Sequence, residues 1–198
     1  MNRKIERTKE EEYKISKIAE HYKAILELIG ENPDREGLVK TPRRAAKALV
    51  DIISGYTDSA ENIINSAVFE YGGSQMVIVK DIEFYSLCEH HILPFFGKIS
   101  IGYVPDGQMV GLSKLARVVE VYARRLQVQE HLTREICEAV YSTLATKGVV
   151  VLCEASHLCM QMRGIEKQNS ITTTIDYRGA FENSELRSEF MRLVDNHH

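Results

Sequence analysis

Apolar side chains at Ile15, Ile18, Tyr22, Ile25, Leu26 and Ile29 recur with the spacing of one helical face. Gly30 supplies the stop, so the spacing predicts a helix from Ile15 to Ile29. Glu31 to Lys40 contains Asn32-Pro33-Asp34 and Gly37 and reads as a loop. Thr41-Pro42 has the form of an N-cap followed by proline at the first helical position, opening a helix to about Gly55. A linker-like stretch ends at Gly72-Gly73. Beyond it, Gln75 to Phe84 and Lys98 to Val104 read as strands, with Pro94 and Gly97 between them. Pro105-Asp106-Gly107 is a turn. Leu112, Leu115, Val119, Tyr122 and Leu126 form a helical stripe, and a second helix is expected from about Glu130 to Lys147, ended by Gly148. Val149 to Met160 and Ser170 to Tyr177 read as strands, the latter through its β-branched run Ile171-Thr172-Thr173-Thr174-Ile175. A short helix over Glu185 to Val194 closes the series. Two hairpin-like strand pairs flanking two helices predict an α+β domain, its sheet antiparallel and its helices on one face.

Composition narrows the class without changing this picture. A chain of 198 residues with 44% hydrophobic and 27% charged residues can bury one ordinary core, or one domain with an appended arm. The opening MNRKIERTKEEEYK lacks the apolar region of a signal peptide, and no run approaches the ~18 apolar residues of a membrane span. The expectation is a cytoplasmic protein without a membrane partner. Four cysteines are too few for a disulfide framework at this length, and a reducing compartment keeps them as thiols or metal thiolates. A net charge of −3 gives no support to nucleic-acid binding.

Candidate chemistry concentrates in Cys88-Glu89-His90-His91 and, far downstream, His157-Leu158-Cys159. A helical turn at the first cluster would put Cys88 and His91 on one face and turn His90 away. A strand at the second would project His157 and Cys159 from one side. Thiolate and imidazole together suit zinc better than magnesium or calcium. Cys153 shares that strand face but lies six residues from Cys159, roughly 20 Å along a strand, too far to share one ion. It reads as a small buried apolar residue, as does Cys137 within a helical stripe. Spacing leaves two arrangements open. With His157 as fourth ligand the site is closed and structural; without it a position is left for water, and His90 and His157 can move protons.

A second constellation points to an anion. In Gly111-Leu112-Ser113-Lys114-Leu115-Ala116-Arg117, Ser113 is placed as an N-cap, with Lys114 and Arg117 in the first turns. Cations there oppose the helix dipole, and a negative ligand between them would give their placement a physical reason. Solvated surface charge is the competing explanation, and for Arg163 and Lys47 taken singly it is the better one. Gln129-Glu130 is expected between two helices, where exposed, solvated loop residues are the better reading unless other evidence points to a purine; a carboxylate there can alternatively accept paired N–H donors such as a guanine edge.

Ser86-Leu87-Cys88-Glu89-His90-His91, Gly111-Leu112-Ser113-Lys114, Gln127-Val128-Gln129-Glu130, His157-Leu158-Cys159-Met160 and Arg163-Gly164-Ile165 together resemble the GTP cyclohydrolase I family. The resemblance runs from about Tyr13 to Arg192 and includes Thr41-Pro42-Arg43-Arg44. It implies a tunnelling fold with a four-stranded antiparallel sheet and two helices on one face over residues 73–198, preceded by a helical extension over 1–72. It also implies an allosteric homodecamer of two pentamers with sites between subunits. The implied reaction converts GTP and water to 7,8-dihydroneopterin triphosphate and formate, the entry step of tetrahydrofolate and pterin synthesis. By position, the resemblance makes Cys88, His91 and Cys159 ligands of one Zn2+ per subunit. His157 becomes the acid/base group at the guanine imidazole ring, His90 a second proton-transfer group, and Ser113 a neighbour of the ribose. Glu130, assisted by Gln129, would take the guanine edge, and Lys114, Arg117, Arg163 and Lys47 the triphosphate. Departures fall at Leu87, Leu126 and His131, none of them a ligand or proton-transfer position. Two other readings stay open: a non-enzymatic zinc-stabilised assembly in which His157 closes the metal sphere, and a related enzyme acting on another purine or pterin. His197-His198 reads as a frayed tail.

Overall fold

The computed structural model describes residues 7–195, so His197-His198 lies outside the described residues. The chain forms two compact units, one up to Ser54 and one from Gly55 onward. The first holds helices α1 (Lys9–Leu28) and α2 (Thr41–Ile52), packed against each other. Helix α1 begins six residues before the expected Ile15 because Thr8 and Glu11 form a reciprocal capping box. The α2 cap differs from expectation. Thr41 is already helical, Lys40 occupies the cap without a side-chain bond, and the Thr41 hydroxyl turns back to the Gly37 carbonyl at 3.4 Å.

The second unit is built on a five-stranded sheet. Strands β2 (Val77–Cys88), β3 (Pro94–Pro105), β6 (Thr146–His157) and β7 (Thr172–Gly179) form the expected four-stranded antiparallel ladder. A two-residue strand β5 (Leu126–Gln127) adds to its edge in parallel with β2. Helices α4 (Leu112–Ala123) and α5 (Gln129–Thr143) cover one face. Alternation along β6 shows how the sheet separates two cores: Val149, Val151, Cys153 and Ala155 face α4 and α5, whereas Val150 and Leu152 join Phe181 and Phe190 on the other side. Phe190 belongs to α7 (Ser184–Asp195), so the last helix packs on the face opposite the other two.

Several expected boundaries move. The stretch read as a linker holds α3 (Ala60–Asn65), capped by Ser59, and β1 (Val68–Glu70), which pairs with β4 (Gln108–Val110). Its short apolar signal was masked by polar neighbours, yet Ala60 and Ile64 enter the main core. Pro94 and Gly97 lie inside β3, not between strands. Gly97 permits close approach of β6, since a β-carbon there would sit 1.9 Å from the Glu154 carbonyl oxygen. Gly148 likewise belongs to β6, and α5 ends earlier, at Thr143. The expected turn is present, with Gly107 at φ 77°. Among the described residues no helix is long and apolar enough to cross a membrane.

Candidate functional site

Both ligand clusters stand where a strand of the central ladder ends. Cys88 is the last residue of β2 and is buried, held by its register opposite Gln127 of β5. The chain then turns: Ile92 N–H donates to the Cys88 carbonyl at 2.8 Å, and Cys88 N–H donates to Leu93 O at 2.9 Å. Ile92 takes a left-handed φ of 53°, an uncommon conformation for a β-branched residue, and this reversal delivers the chain into β3. The first cluster is therefore a strand end plus turn, not a helix. The turn brings the Nδ1 atoms of both His90 and His91 to 3.9 Å from the Cys88 sulfur.

The second cluster divides at His157. Strand β6 ends on that residue, and Leu158 begins the single helical turn α6 (Leu158–Gln161). His157 and Cys159 consequently do not share a strand face. Cys159 swings toward Cys88 and His91, whose ligand atoms together with its own all lie within 4.8 Å of one another. Tetrahedral zinc with sulfur at ~2.3 Å and nitrogen at ~2.1 Å holds its ligands roughly 3.6 Å apart. The triangle needs about an ångström of contraction to close on such an ion. Two thiols and one imidazole, partly shielded from water, fit a zinc-type metal by donor chemistry as well as spacing.

His157 is held apart from that triangle. Its ring stacks on Phe95, centroids 4.8 Å apart and planes 1° from parallel, as their opposed register positions in β3 and β6 allow. Its Nε2 lies 2.8 Å from Gln129 Oε1. Burial lowers the His157 pKa below the ordinary histidine value, and the nearby Glu130 carboxylate opposes that shift. Burial pushes the Cys159 thiol up, the Cys88 sulfur adds to the rise, and Arg163 acts against it. Cys137 and Cys153 are pushed up to about 12, chiefly by burial, in line with inert core thiols.

Cys88, His90, His91, Gln129, Glu130, His157 and Cys159 line one cleft of about 260 Å³, with Gln127, Val128, Met160 and Thr172 completing its wall. Seven of the expected site residues therefore converge. Gln129 and Glu130 are the first two residues of α5, not loop residues, and Gln129 is only 1% exposed. Ser113 is not the cap of α4; Gly111 is, and Ser113 and Lys114 follow within the first turn. Ser113, Lys114, Arg117 and Arg163 do not line the cleft. Lys47 stands on α2 in the first unit. Sequence reasoning missed Phe95 and Thr172. The alternation of the 171–175 run already placed Thr172 and Thr174 on one face, whereas nothing local marked Phe95 as the partner of a histidine.

The sequence model described as GTP cyclohydrolase I matches residues 18–195. A protein named GTP cyclohydrolase 1 from Porphyromonas gingivalis is 56% identical over 185 residues, covering 93% of this chain and 96% of its own length. A protein of the same name from Bacteroides fragilis is 54% identical over 174 residues, covering 88% and 90%. Another from Campylobacter jejuni is 55% identical over 174 residues, covering 87% and 92%.

Proposed function

The chain belongs to the GTP cyclohydrolase I family, and from that membership we propose that it converts GTP and water to 7,8-dihydroneopterin triphosphate and formate with one zinc per subunit. The observation that carries the catalytic reading is the division of labour in the cleft. Cys88, His91 and Cys159 form the metal triangle while His157 is engaged by Gln129. This supports the open arrangement over the closed structural one, because a fourth protein ligand is not offered by His157.

Cys88, His91 and Cys159 would hold the ion, and zinc so held supplies activated water near neutral pH. Carbon 8 of guanine is a weak electrophile until N7 is protonated, so an acid beside the metal triangle is what the first addition requires. His157 fits that task. Burial keeps its ring largely neutral at neutral pH, so the proton it delivers to N7 is one it has first accepted. Opening the imidazole ring and releasing formate consume two waters, and closure of the pterin ring returns one. His90, exposed at the cleft mouth beside Glu89 at 3.7 Å, is suited to the later proton transfers of ribose rearrangement.

Glu130 would accept the N1–H and amino group of guanine. The first N–H groups of α5, Gln129 among them, lack intrahelical acceptors and suit the guanine carbonyl. The cleft is slightly smaller than the ~300–1,000 Å³ common for small-molecule sites, so it suits the base better than a whole nucleotide. Ser113, assigned to the ribose, and Lys114, Arg117 and Arg163, assigned with Lys47 to the triphosphate, stand outside its wall. Arg163 is close enough to act on the Cys159 thiol, whereas a second copy of the chain, within a homodecamer, would complete the site with residues that do not line this cleft. The catalytic domain assigned to residues 73–198 contains every residue lining the cleft. Cytoplasmic location and entry into pterin and tetrahydrofolate synthesis follow from the same reading.

The test is incubation of the purified, metal-quantified protein with GTP, followed by assays for formate and for a fluorescent pterin after oxidation. Formate and pterin in equal amounts are expected. Neither product from zinc-loaded protein would remove the enzymatic reading.

A further inference from the structure

Stacking on Phe95 fixes the plane of the His157 ring but not which nitrogen faces the cleft, because a half-turn about the ring's attachment leaves the stack unchanged. The hydrogen bond to Gln129 removes that freedom, provided the Gln129 amide itself has one orientation. A closed set of acceptors gives it one. Gln129 Nε2 lies 3.1 Å from Cys153 O and 2.9 Å from Thr172 O, both backbone carbonyls that can only accept. Reversing the amide would face its oxygen against two other oxygens, so Nε2 must occupy this position.

Two threonines reinforce the same direction. Thr133 Oγ1 lies 2.8 Å from the Gln129 backbone carbonyl and must donate its single proton there. Thr174 Oγ1, 2.6 Å from Thr133 Oγ1, therefore donates to it. With its proton committed, Thr174 is an acceptor 3.2 Å from Gln129 Nε2 and shares one of the two amide hydrogens with a carbonyl. Gln129 and Thr133 are each 1% exposed, so water does not offer an equivalent alternative. Gln129 Oε1 is left as an acceptor only, and the His157 nitrogen 2.8 Å away must carry a hydrogen.

We propose that Gln129, aligned by Thr133, Thr174 and the Cys153 and Thr172 carbonyls, is a positioning residue that holds His157 as its Nε2–H tautomer, leaving Nδ1 to exchange protons with substrate. The tautomer follows from the hydrogen-bond directions alone, while the substrate part rests on the GTP reading above. Adding a proton to the ring leaves the Nε2–H to Gln129 bond in place, so His157 can cycle without losing its orientation.

Nitrogen-15 NMR of histidine-labelled, zinc-loaded protein tests it, with the His157 signals assigned by their loss in His157→Asn. The wild type is expected to show a pyrrole-type Nε2 and a pyridine-type Nδ1 when the ring is neutral. Gln129→Glu and Gln129→Met both abolish the Nε2 donor bonds, but only Gln129→Met abolishes the acceptor facing His157. Gln129→Glu should keep the tautomer, and Gln129→Met should lose it. With GTP, Gln129→Met should lower kcat by on the order of 10²-fold with KM little changed, and Gln129→Glu by clearly less. A wild-type Nδ1–H tautomer overturns the proposal, as does an unchanged tautomer in Gln129→Met or equal kcat losses in the two variants. Should a variant fail to fold, the wild-type spectrum alone decides. Wild-type protein with the expected tautomer but no formate release would defeat the GTP reading and leave the tautomer assignment standing.

Discussion

The two histidines of the downstream and upstream clusters, His157 and His91, differ in what surrounds them, not in residue type. His91 meets Cys88 and Cys159, whereas His157 meets Phe95 and Gln129. Removing each partner should therefore have separable results. Cys159→Ala is expected to lose both bound zinc and formate release, while His157→Ala keeps zinc and loses kcat by roughly 10²–10⁴-fold, the range of a general acid–base group. Metal content and formate measured on the same preparations check this, and zinc loss from His157→Ala would contradict the open site. Glu130→Gln should raise KM for GTP more than it lowers kcat; unchanged binding and turnover would remove Glu130 from the guanine edge. The four thiols sort by environment as well. With pKa values of about 12, Cys137 and Cys153 are about one part in ten thousand thiolate at pH 8, so iodoacetamide should spare them in folded protein. Part-exposed Cys159 should be alkylated once the metal is chelated, as peptide mapping would show.

At the scale of elements, the site depends on where strands stop. Long helical stripes were legible because α4 and α5 each present one continuous apolar face to the same core. The ends of β2 and β6 were not, since both ladders run on until a turn interrupts pairing with neighbours distant in sequence. The same holds for β5, whose two residues are defined by pairing with Leu87 and Cys88. Gly97 is the sharpest case. It read locally as a turn signal, yet its lack of a side chain serves the contact between β3 and β6, two residues from Phe95. Gly97→Ala should push these strands apart and destabilise the fold by about 1–3 kcal/mol, the usual range for overpacking. Urea unfolding would register this as a lower midpoint, with turnover reduced through the displaced Phe95–His157 stack. An unchanged midpoint would show that the strands can separate without loss.

At the scale of the molecule, the Cys88, His91 and Cys159 triangle, spaced so that it could hold a metal, links the end of β2 to α6, segments joined otherwise through the sheet. A ligand that binds only the folded state stabilises it by mass action, by about 2.7 kcal/mol at a hundredfold excess over Kd. Chelation should lower Tm and speed amide exchange at residues 88–93 and 157–162. The Phe181–Phe190 core on the far sheet face should keep its protection, because none of its contacts involves a ligand. Uniform acceleration across both cores would instead assign the metal a global structural role. The sequence by itself determined the α+β class, the four-strand ladder and the metal donor types, because hydrophobic period and ligand chemistry are local properties. Only the tertiary structure decided that His157 lies off the metal triangle and that Gln129 is buried against it. Those outcomes depend on where β6 ends, on the register of Phe95 against His157, and on hydrogen-bond directions closed by Thr133 and Thr174. Such contacts join residues far apart in the chain, and no local period encodes them.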